Sequence, residues 1–235
     1  MSVVIFATSC TKPCVIGVGQ PTLDSRKIEA FNTITIEGPF NVSIVSDKNR
    51  ANGGKASVEA QANLLPFIIT EVKDSNLVIR LDGCVTTDRN LKVALATGRL
   101  DKIENTGSGD VSNEKGISTD NLELENSGSG AMNLRIKSRA CSILNSGSGA
   151  VTLQGFIEEM VMELSGSGDI YAPNLRINDA KVTNSGSGNI ETWVEGTCEA
   201  FLSGSGNITL NGKQESYSEK VSGSGTITKS TLIIK

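Results

Sequence analysis

The sequence contains no histidine, and this absence excludes several kinds of site. Ser-His-Asp and Cys-His catalysis both depend on an imidazole base, and many zinc sites use imidazole ligands. The five cysteines include no Cys-x-x-Cys pair, so neither a thiolate zinc motif nor a dithiol redox motif is predicted. We therefore expect a protein without a metal ion or another cofactor.

Apolar and aromatic residues are scarce, at 37% and 4% of the chain, whereas 25 residues are glycine. This composition favours a thin structure with a narrow interior over a large compact core. The net charge is −4, and the sequence has no basic stripe that could contact phosphate groups. We therefore expect no nucleic-acid partner and no strongly anionic membrane partner. No apolar run approaches the length of about 20 residues that spans a bilayer.

The N-terminal segment is similar to the end of a bacterial lipoprotein signal. A short apolar run leads through Ala-Thr-Ser to Cys10. We interpret residues 1–10 as a lipoprotein-type signal with Cys10 lipidated, and residues 11–25 as a tether. No Lys or Arg precedes the run, and the alternative is a buried strand with an ordinary cysteine. The first interpretation predicts an extracytoplasmic, outer-membrane lipoprotein with a lipid anchor.

Seven Gly-Ser-Gly triplets recur through the second half of the chain at spacings of 21, 19, 19, 20, 18 and 19 residues. A constant period of this length is typical of repeat architectures. Each triplet lies between apolar, alternating segments, which argues against a flexible linker. The first glycines of the triplets are Gly107, Gly128, Gly147, Gly166, Gly186, Gly204 and Gly223.

Apolar residues alternate with polar ones on both sides of every triplet. They recur four and six residues before its first glycine, and again four and six residues after it. This period of two indicates β-strands with one buried face. A shorter connection in each unit carries a further apolar residue, such as Ile117, Ile136, Phe156, Leu175 or Val194. The pattern predicts an all-β protein, a single-stranded right-handed parallel β-helix with coils of about 20 residues.

The triplets are predicted to form the corners of this β-solenoid. Glycine is expected to adopt a positive φ there without steric cost, and it also lets neighbouring backbones approach closely. An asparagine often stands two residues before the triplet, where the alternation turns it inward to satisfy backbone groups of the corner. These asparagines are Asn105, Asn126, Asn145 and Asn184.

The cysteines divide into two groups. Cys141 and Cys198 occupy the same column three coils apart, which is about 14 Å at the usual strand spacing. A disulfide needs Cα atoms within about 7 Å, so both are expected to be free, buried thiols. Cys14 and Cys84 remain candidate partners, without a feature that requires the bond.

The two halves of the chain differ in regularity. Residues 26–100 keep strand-like segments without triplets and are predicted to form irregular N-terminal coils that cap the solenoid. Residues 101–235 form the regular β-helix, and residues 47–55 an exposed loop. The apolar segment 231–235 lies at an edge that is either covered locally or pairs with a second chain as a homodimer.

The segment Arg26-Lys-Ile-Glu-Ala-Phe-Asn-Thr-Ile-Thr-Ile-Glu-Gly38, followed by serial Ser-Gly-Ser-Gly corners, resembles the bacterial head GIN domain family. That family carries the label auto-transporter adhesin and is common among secreted or lipid-anchored proteins of Bacteroidetes. The resemblance covers about residues 26–230. It implies a right-handed β-helix outside the cytoplasm and transfers no catalytic motif.

Few residues suggest a binding or catalytic site. Tyr171, Trp193 and Phe201 are predicted to face outward, where aromatic rings stack on sugars or mark protein contacts; irregular packing is the alternative. Glu104 and Glu125 form an acidic stripe on adjacent coils, which a glycan-active enzyme would need but a solvated face also explains. Asp110 and Asp169 lie three coils apart, too far to share a calcium ion.

Three functions remain at this point. The first is a non-enzymatic surface or periplasmic adhesin whose β-helix face binds an extracellular glycan or protein. The second is a lyase or hydrolase that uses the Glu104–Glu125 stripe, and the third is a purely structural envelope component.

Overall fold

The computed structural model describes residues 13–46 and 54–230, and within them the chain is almost entirely β-structure. The only helical element of this part is a 3₁₀ turn at Leu65–Phe67. The strands form a β-solenoid of about 7 turns with coils of ~19 residues, which confirms the predicted fold class. No helix in the described ranges is long and apolar enough to cross a membrane.

Twenty strands are defined in the described residues. The N-terminal strands are β1 (Val15–Ile16), β2 (Pro21–Ile28), β3 (Thr33–Ile36), β4 (Phe40–Ser46), β5 (Gly54–Gln61), β6 (Ile68–Lys73), β7 (Asn76–Leu81), β8 (Val85–Thr86) and β9 (Leu91–Thr97). The strands of the regular part are β10 (Lys102–Asn105), β11 (Val111–Asn113), β12 (Ile117–Asn126), β13 (Met132–Asn145), β14 (Val151–Leu164), β15 (Ile170–Asn184), β16 (Ile190–Val194), β17 (Thr197–Leu202), β18 (Ile208–Asn211), β19 (Ser216–Val221) and β20 (Ile227–Ser230).

In the regular part every strand pairs in parallel with its equivalent one coil away. Leu124 pairs with Ile103 on one side and Ile143 on the other, and Ile143 pairs in turn with Met162. All four of these side chains are buried. Because equivalent positions stack, the period of two in the sequence becomes continuous apolar columns inside the solenoid and polar columns outside it.

The N-terminal coils do not stack in chain order. Strands β3 and β4 form one coil, which pairs with β10 and β11 on one side and with β7 and β9 on the other. Two coils of residues 26–100 are therefore parallel, as in the regular part. An antiparallel addition, β2 with β5, β5 with β9 and β6 with β7, was not predicted from the sequence.

The predicted tether is wrong for most of its length. Val15 and Ile16 pair with Val85 and Thr86, and residues 21–25 belong to β2. A disulfide joins Cys14 to Cys84. These backbone hydrogen bonds and the covalent bond hold the segment against the end of the solenoid, so it is folded structure and not a spacer.

Three sequence predictions fall partly or wholly outside the described residues. They are the signal with Cys10, the edge segment 231–235, and residues 47–53 of the predicted loop. Residues 54 and 55 of that loop are strand β5, which corrects its C-terminal boundary.

The last described coil places charge where earlier coils place apolar side chains. Glu219 pairs with Ala200, and Lys229 pairs with Leu210. The Tyr217 hydroxyl contacts the Glu219 carboxylate, and the Lys229 ammonium lies 4.0 Å from the centre of the Tyr217 ring. Inward-facing charge of this kind discourages a strand edge from pairing with another chain.

Candidate binding face

The glycine triplets let successive corners stack at backbone contact distance. A Cβ on Gly128 would lie 1.9 Å from the carbonyl oxygen of Gly107, and one on Gly147 would lie 2.1 Å from that of Gly128. In the described chain no triplet glycine has a positive φ, so the expectation of a left-handed corner is wrong. The close approach of backbones is the reason for glycine at these positions.

The inward asparagines hold together the four corners that contain them. The Asn145 side-chain amide donates to the Gly149 carbonyl at 3.0 Å, and the Asn184 amide donates to the Gly188 carbonyl at 2.8 Å. The Asn184 carbonyl oxygen accepts the backbone N–H of Gly186 at 3.0 Å. These side chains are buried, and their amides satisfy backbone groups that would otherwise be buried without partners.

The position after each triplet carries a second ladder that sequence reasoning missed. Asp110 accepts the backbone N–H of Ala131 at 2.9 Å, and Asp169 accepts that of Asn189 at 2.7 Å. Asn189 accepts the N–H of Asn207 in turn, at 3.0 Å. An acidic or amide side chain here therefore binds the backbone of the next coil. Among the described residues, no three His, Cys, Asp or Glu side chains are grouped to hold a metal ion.

The acidic stripe is held by a lysine. The Lys102 ammonium lies 2.9 Å from both Glu123 and Glu125, and the Thr35 hydroxyl donates to Glu104 at 3.3 Å. The hydrogen bond from Lys102 lowers the pKa of Glu123. The ion pair with Lys102 thus favours the ionised form of Glu123, which lies beside the stripe.

The three predicted aromatic residues separate into two groups. Tyr171 is 47% exposed on β15, after its corner, and Trp193 lies on the next strand, β16, two residues beyond the Glu191 that pairs with Tyr171. Phe201 is half-buried on β17, before the following corner, with the Lys181 ammonium 5.6 Å from its ring centre. The structure thus brings Tyr171 and Trp193 to one side and Phe201 to another.

Phe156 differs in orientation from the other apolar residues of the shorter connections. Its side chain is 41% exposed, and Gly155 occupies the column position between Ile136 and Leu175. Phe156 lies nine residues after Gly147, and Leu175 lies nine residues after Gly166, yet Leu175 is buried. A register shift between Thr152 and Gln154 brings Leu175 opposite Gly155, so the offset from the triplet alone does not give the orientation of Phe156.

Phe156 completes a column of alternating cations and rings. The paired residues of four successive coils are Lys137, Phe156, Arg176 and Trp193. Tyr171 lies beside this column, because it pairs with Glu191, two residues before Trp193. We call Phe156, Tyr171 and Trp193 the aromatic face.

Trp193 is held in place by polar contacts. Its indole N–H donates to Glu195 at 3.2 Å, and the same carboxylate pairs with the Arg176 guanidinium at 2.7 Å. The hydrogen bond from Arg176 lowers the pKa of Glu195. A Cβ on Gly212 would lie 3.2 Å from the indole nitrogen, so the next coil leaves room for the ring. The indole is therefore an oriented platform on the surface of the solenoid.

Cys141 and Cys198 are free and buried, as predicted. Burial raises the pKa of Cys141 to about 12 and that of Cys198 to about 11. Only the thiolate reacts with disulfide reagents. At pH 8 the thiolate fraction of each buried cysteine is at least about a hundredfold smaller than that of an ordinary cysteine.

We therefore expect no rapid reaction of the native protein with Ellman's reagent, in a Cys10→Ser background and without reductant. Denaturation in urea should release two reactive thiols per chain, because Cys14 and Cys84 form the disulfide. Four thiols after denaturation would contradict the disulfide, and rapid native labelling would contradict the burial.

Fold and surface together define a class: a parallel β-solenoid whose corners are structural and whose outward strands present a lateral face. Within this class the chain belongs to the family described as "Putative auto-transporter adhesin, head GIN domain", whose model matches residues 30–214. The family resemblance of the sequence is thereby confirmed. A comparison with functionally curated proteins finds no match.

Solved structures share the fold over nearly the whole chain. A putative adhesin from Bacteroides fragilis superposes with a TM-score of 0.86 at 25% identity, covering 92% of this chain and 99% of that one. A putative adhesin from Parabacteroides merdae gives a TM-score of 0.74 at 20% identity, with 92% and 99% coverage. A putative lipid binding protein from Parabacteroides distasonis gives 0.75 at 22% identity, with 93% and 100% coverage.

Proposed function

We propose that the protein is a non-enzymatic adhesin at the cell surface and that its aromatic face binds an extracellular glycan. The observation that carries this proposal is the exposure of Phe156 and Tyr171 beside the oriented indole of Trp193. Aromatic rings on a rigid sheet offer flat apolar surfaces with little entropy to lose on binding. Successive coils place the rings about 4.8 Å apart along the axis, which suits an extended ligand.

An extracytoplasmic location, with lipidation at Cys10 and an outer-membrane anchor, is part of the proposal. The family label supports a surface location, and the Cys14–Cys84 disulfide supports an oxidising compartment, since such bonds are rare in reducing cytosol. Mass spectrometry of protein from the native membrane fraction tests the anchor directly. A diacylglyceryl-modified Cys10 is expected, and an unmodified N-terminus would exclude lipidation.

The runner-up functions make different predictions. A glycan-active enzyme would use the Glu104–Glu125 stripe and would release products from a polysaccharide, with loss of the products in Glu125→Gln. In the structure the Glu125 carboxylate is engaged by the Lys102 ammonium at 2.9 Å. A purely structural envelope component would bind no soluble glycan or protein at all.

A glycan-array screen of the folded protein, with mass spectrometry of the bound glycans, tests the adhesin. We expect binding without cleavage. Trp193→Ala or Tyr171→Ala should each lower the affinity about tenfold, which corresponds to ~1.4 kcal/mol. The matched control is Phe201→Ala, because this ring lies on β17, apart from the aromatic face.

Equal losses from all three substitutions would place the ligand elsewhere or indicate a general loss of folding, which circular dichroism distinguishes. Cleavage of a bound glycan would move the protein to the enzyme class. If a protein ligand bound through the same residues, the proposed adhesin function would stand but its ligand would be a protein and not a glycan.

A further inference from the structure

Several cationic side chains lie next to the aromatic face, close to the exposed ring of Phe156. Arg135, Lys137 and Arg139 occupy alternate, exposed positions of β13, which places them about 7 Å apart along the strand. Lys137 pairs with Phe156, and Arg176 pairs with Phe156 from the opposite side. The Phe156 ring is therefore flanked by a cation one coil before it and a cation one coil after it.

Part of this charge is not neutralised within the protein. Arg176 is paired with Glu195, and Arg139 lies 4.0 Å from Glu159. In the described ranges no carboxylate lies within ion-pair distance of Lys137 or Arg135. Arg135 donates to the neutral Gln154 side chain at 3.2 Å. A local positive patch thus lies on a protein whose net charge is −4.

Arg176 also retains donors for a ligand. Its hydrogen bonds to Glu195 use Nε and Nη2, at 3.1 and 2.7 Å, and the side chain is 68% exposed. A guanidinium has five N–H donors, so its Nη1 group is available for a second anion. Guanidinium groups bind carboxylate and sulfate oxygens through paired, charge-assisted hydrogen bonds.

We propose that the ligand of the aromatic face is an acidic glycan; this inference rests on the adhesin function proposed above. The sugar ring stacks on Phe156, and its carboxylate or sulfate ester lies against Lys137 and Arg176. A neutral glycan uses the rings but gains nothing from the two cations. The column from Lys137 to Trp193 spans three coil steps, about 14 Å, so the ligand is an oligosaccharide and not a single sugar.

The experiment compares two oligosaccharides of equal length by titration calorimetry: oligogalacturonate and its carboxyl-reduced, neutral form. Dextran sulfate against dextran tests the sulfate ester in the same way. We expect the wild-type protein to bind an acidic probe at least about tenfold more tightly than its neutral counterpart. Because exposed charges are screened by salt, the preference should shrink as the NaCl concentration rises.

Variants locate the interaction. Lys137→Gln should weaken acidic binding about fivefold and leave neutral binding unchanged. Arg176→Gln should weaken acidic binding at least as much and should also weaken neutral binding, because Arg176 holds the Glu195 that orients Trp193. Phe156→Ala should weaken both. The matched control is Lys73→Gln, a charge loss at an exposed position of β6 in the N-terminal part. Lys137→Gln is the decisive variant because it disturbs no ion pair within the described residues.

The outcomes separate the two proposals. Equal affinity for acidic and neutral probes, with sensitivity to Trp193→Ala, would overturn the acidic glycan and leave the adhesin. Binding to no glycan would overturn both. Stronger binding to poly-glutamate than to any acidic sugar would replace the glycan by an acidic peptide. An equal loss of affinity for the acidic probe in Lys73→Gln would mean that the preference comes from the overall charge of the protein and not from a site at Phe156.

Discussion

Gly147→Ala should destabilise the protein by about 3 kcal/mol, more than its single added methyl group suggests. The new Cβ would lie 2.1 Å from the Gly128 carbonyl oxygen, and 2.7 and 2.8 Å from backbone atoms of Ser127. Backbone atoms cannot move aside as a side chain does. The coils must separate at that corner, which weakens the hydrogen bond from the Ser148 N–H to the same Gly128 carbonyl, now 3.1 Å.

Thermal unfolding followed by circular dichroism measures this effect, and for a chain of this size the melting temperature should fall by about 6 to 12 °C. Ser148→Ala is the matched control, because it changes an exposed side chain in the same corner and should cost less than about 0.5 kcal/mol. A melting temperature unchanged in Gly147→Ala would mean that the corner accommodates a side chain and that the close-stacking explanation is wrong.

Removal of the Cys14–Cys84 disulfide should cost about 4 kcal/mol. The bond closes a loop with a sequence separation of 70 residues, and cross-links of that length restrict the unfolded chain by about this amount. The double variant Cys14→Ser, Cys84→Ser in a Cys10→Ser background is compared with that background in urea. The transition should shift to lower urea with little change in slope.

Hydrogen exchange identifies which part of the molecule responds. The backbone N–H groups of Val15 and Gly17 donate to Cys84 and Thr86, at 2.9 and 2.8 Å, and should lose protection first in the double variant. A change confined to these amides, with the global transition unmoved, would show that the short sheet of β1 and β8 unfolds separately from the solenoid. The predicted global effect would then be wrong.

Most of the regular solenoid was predictable because its information is local and repeated. Residues such as Leu124, Ile143 and Met162 lie an even number of positions from the first glycine of their triplets. This spacing predicts the strands, the side chains that face inward, and the register between coils. Tyr171 and Trp193 were predicted to face outward by the same reasoning. The exposure of Phe156 was not predicted, because Leu175 at the same offset is buried and only the register shift between Thr152 and Gln154 distinguishes the two positions.

The remaining features depend on contacts between distant segments, which a period cannot reveal. The antiparallel pairing of β2 with β5 and the bond from Cys14 to Cys84 join residues far apart in a part without repeats. The pairing of Arg176 with Trp193 requires the register shift between Ala172 and Arg176. That shift explains why the alternation of cations and rings is absent from a simple alignment on the triplets.

The order in which the coils are stacked has a consequence for how the chain folds when its N-terminal part becomes available before the rest. The coil of residues 33–46 lies between one made of residues 76–97 and one made of residues 102–113. One of its edges stays unpaired until about residue 97 is available and the other until about residue 113, and unpaired edges invite wrong partners. Later coils each add to a finished edge. Vectorial growth of this solenoid therefore begins only after nearly half of the chain has become available.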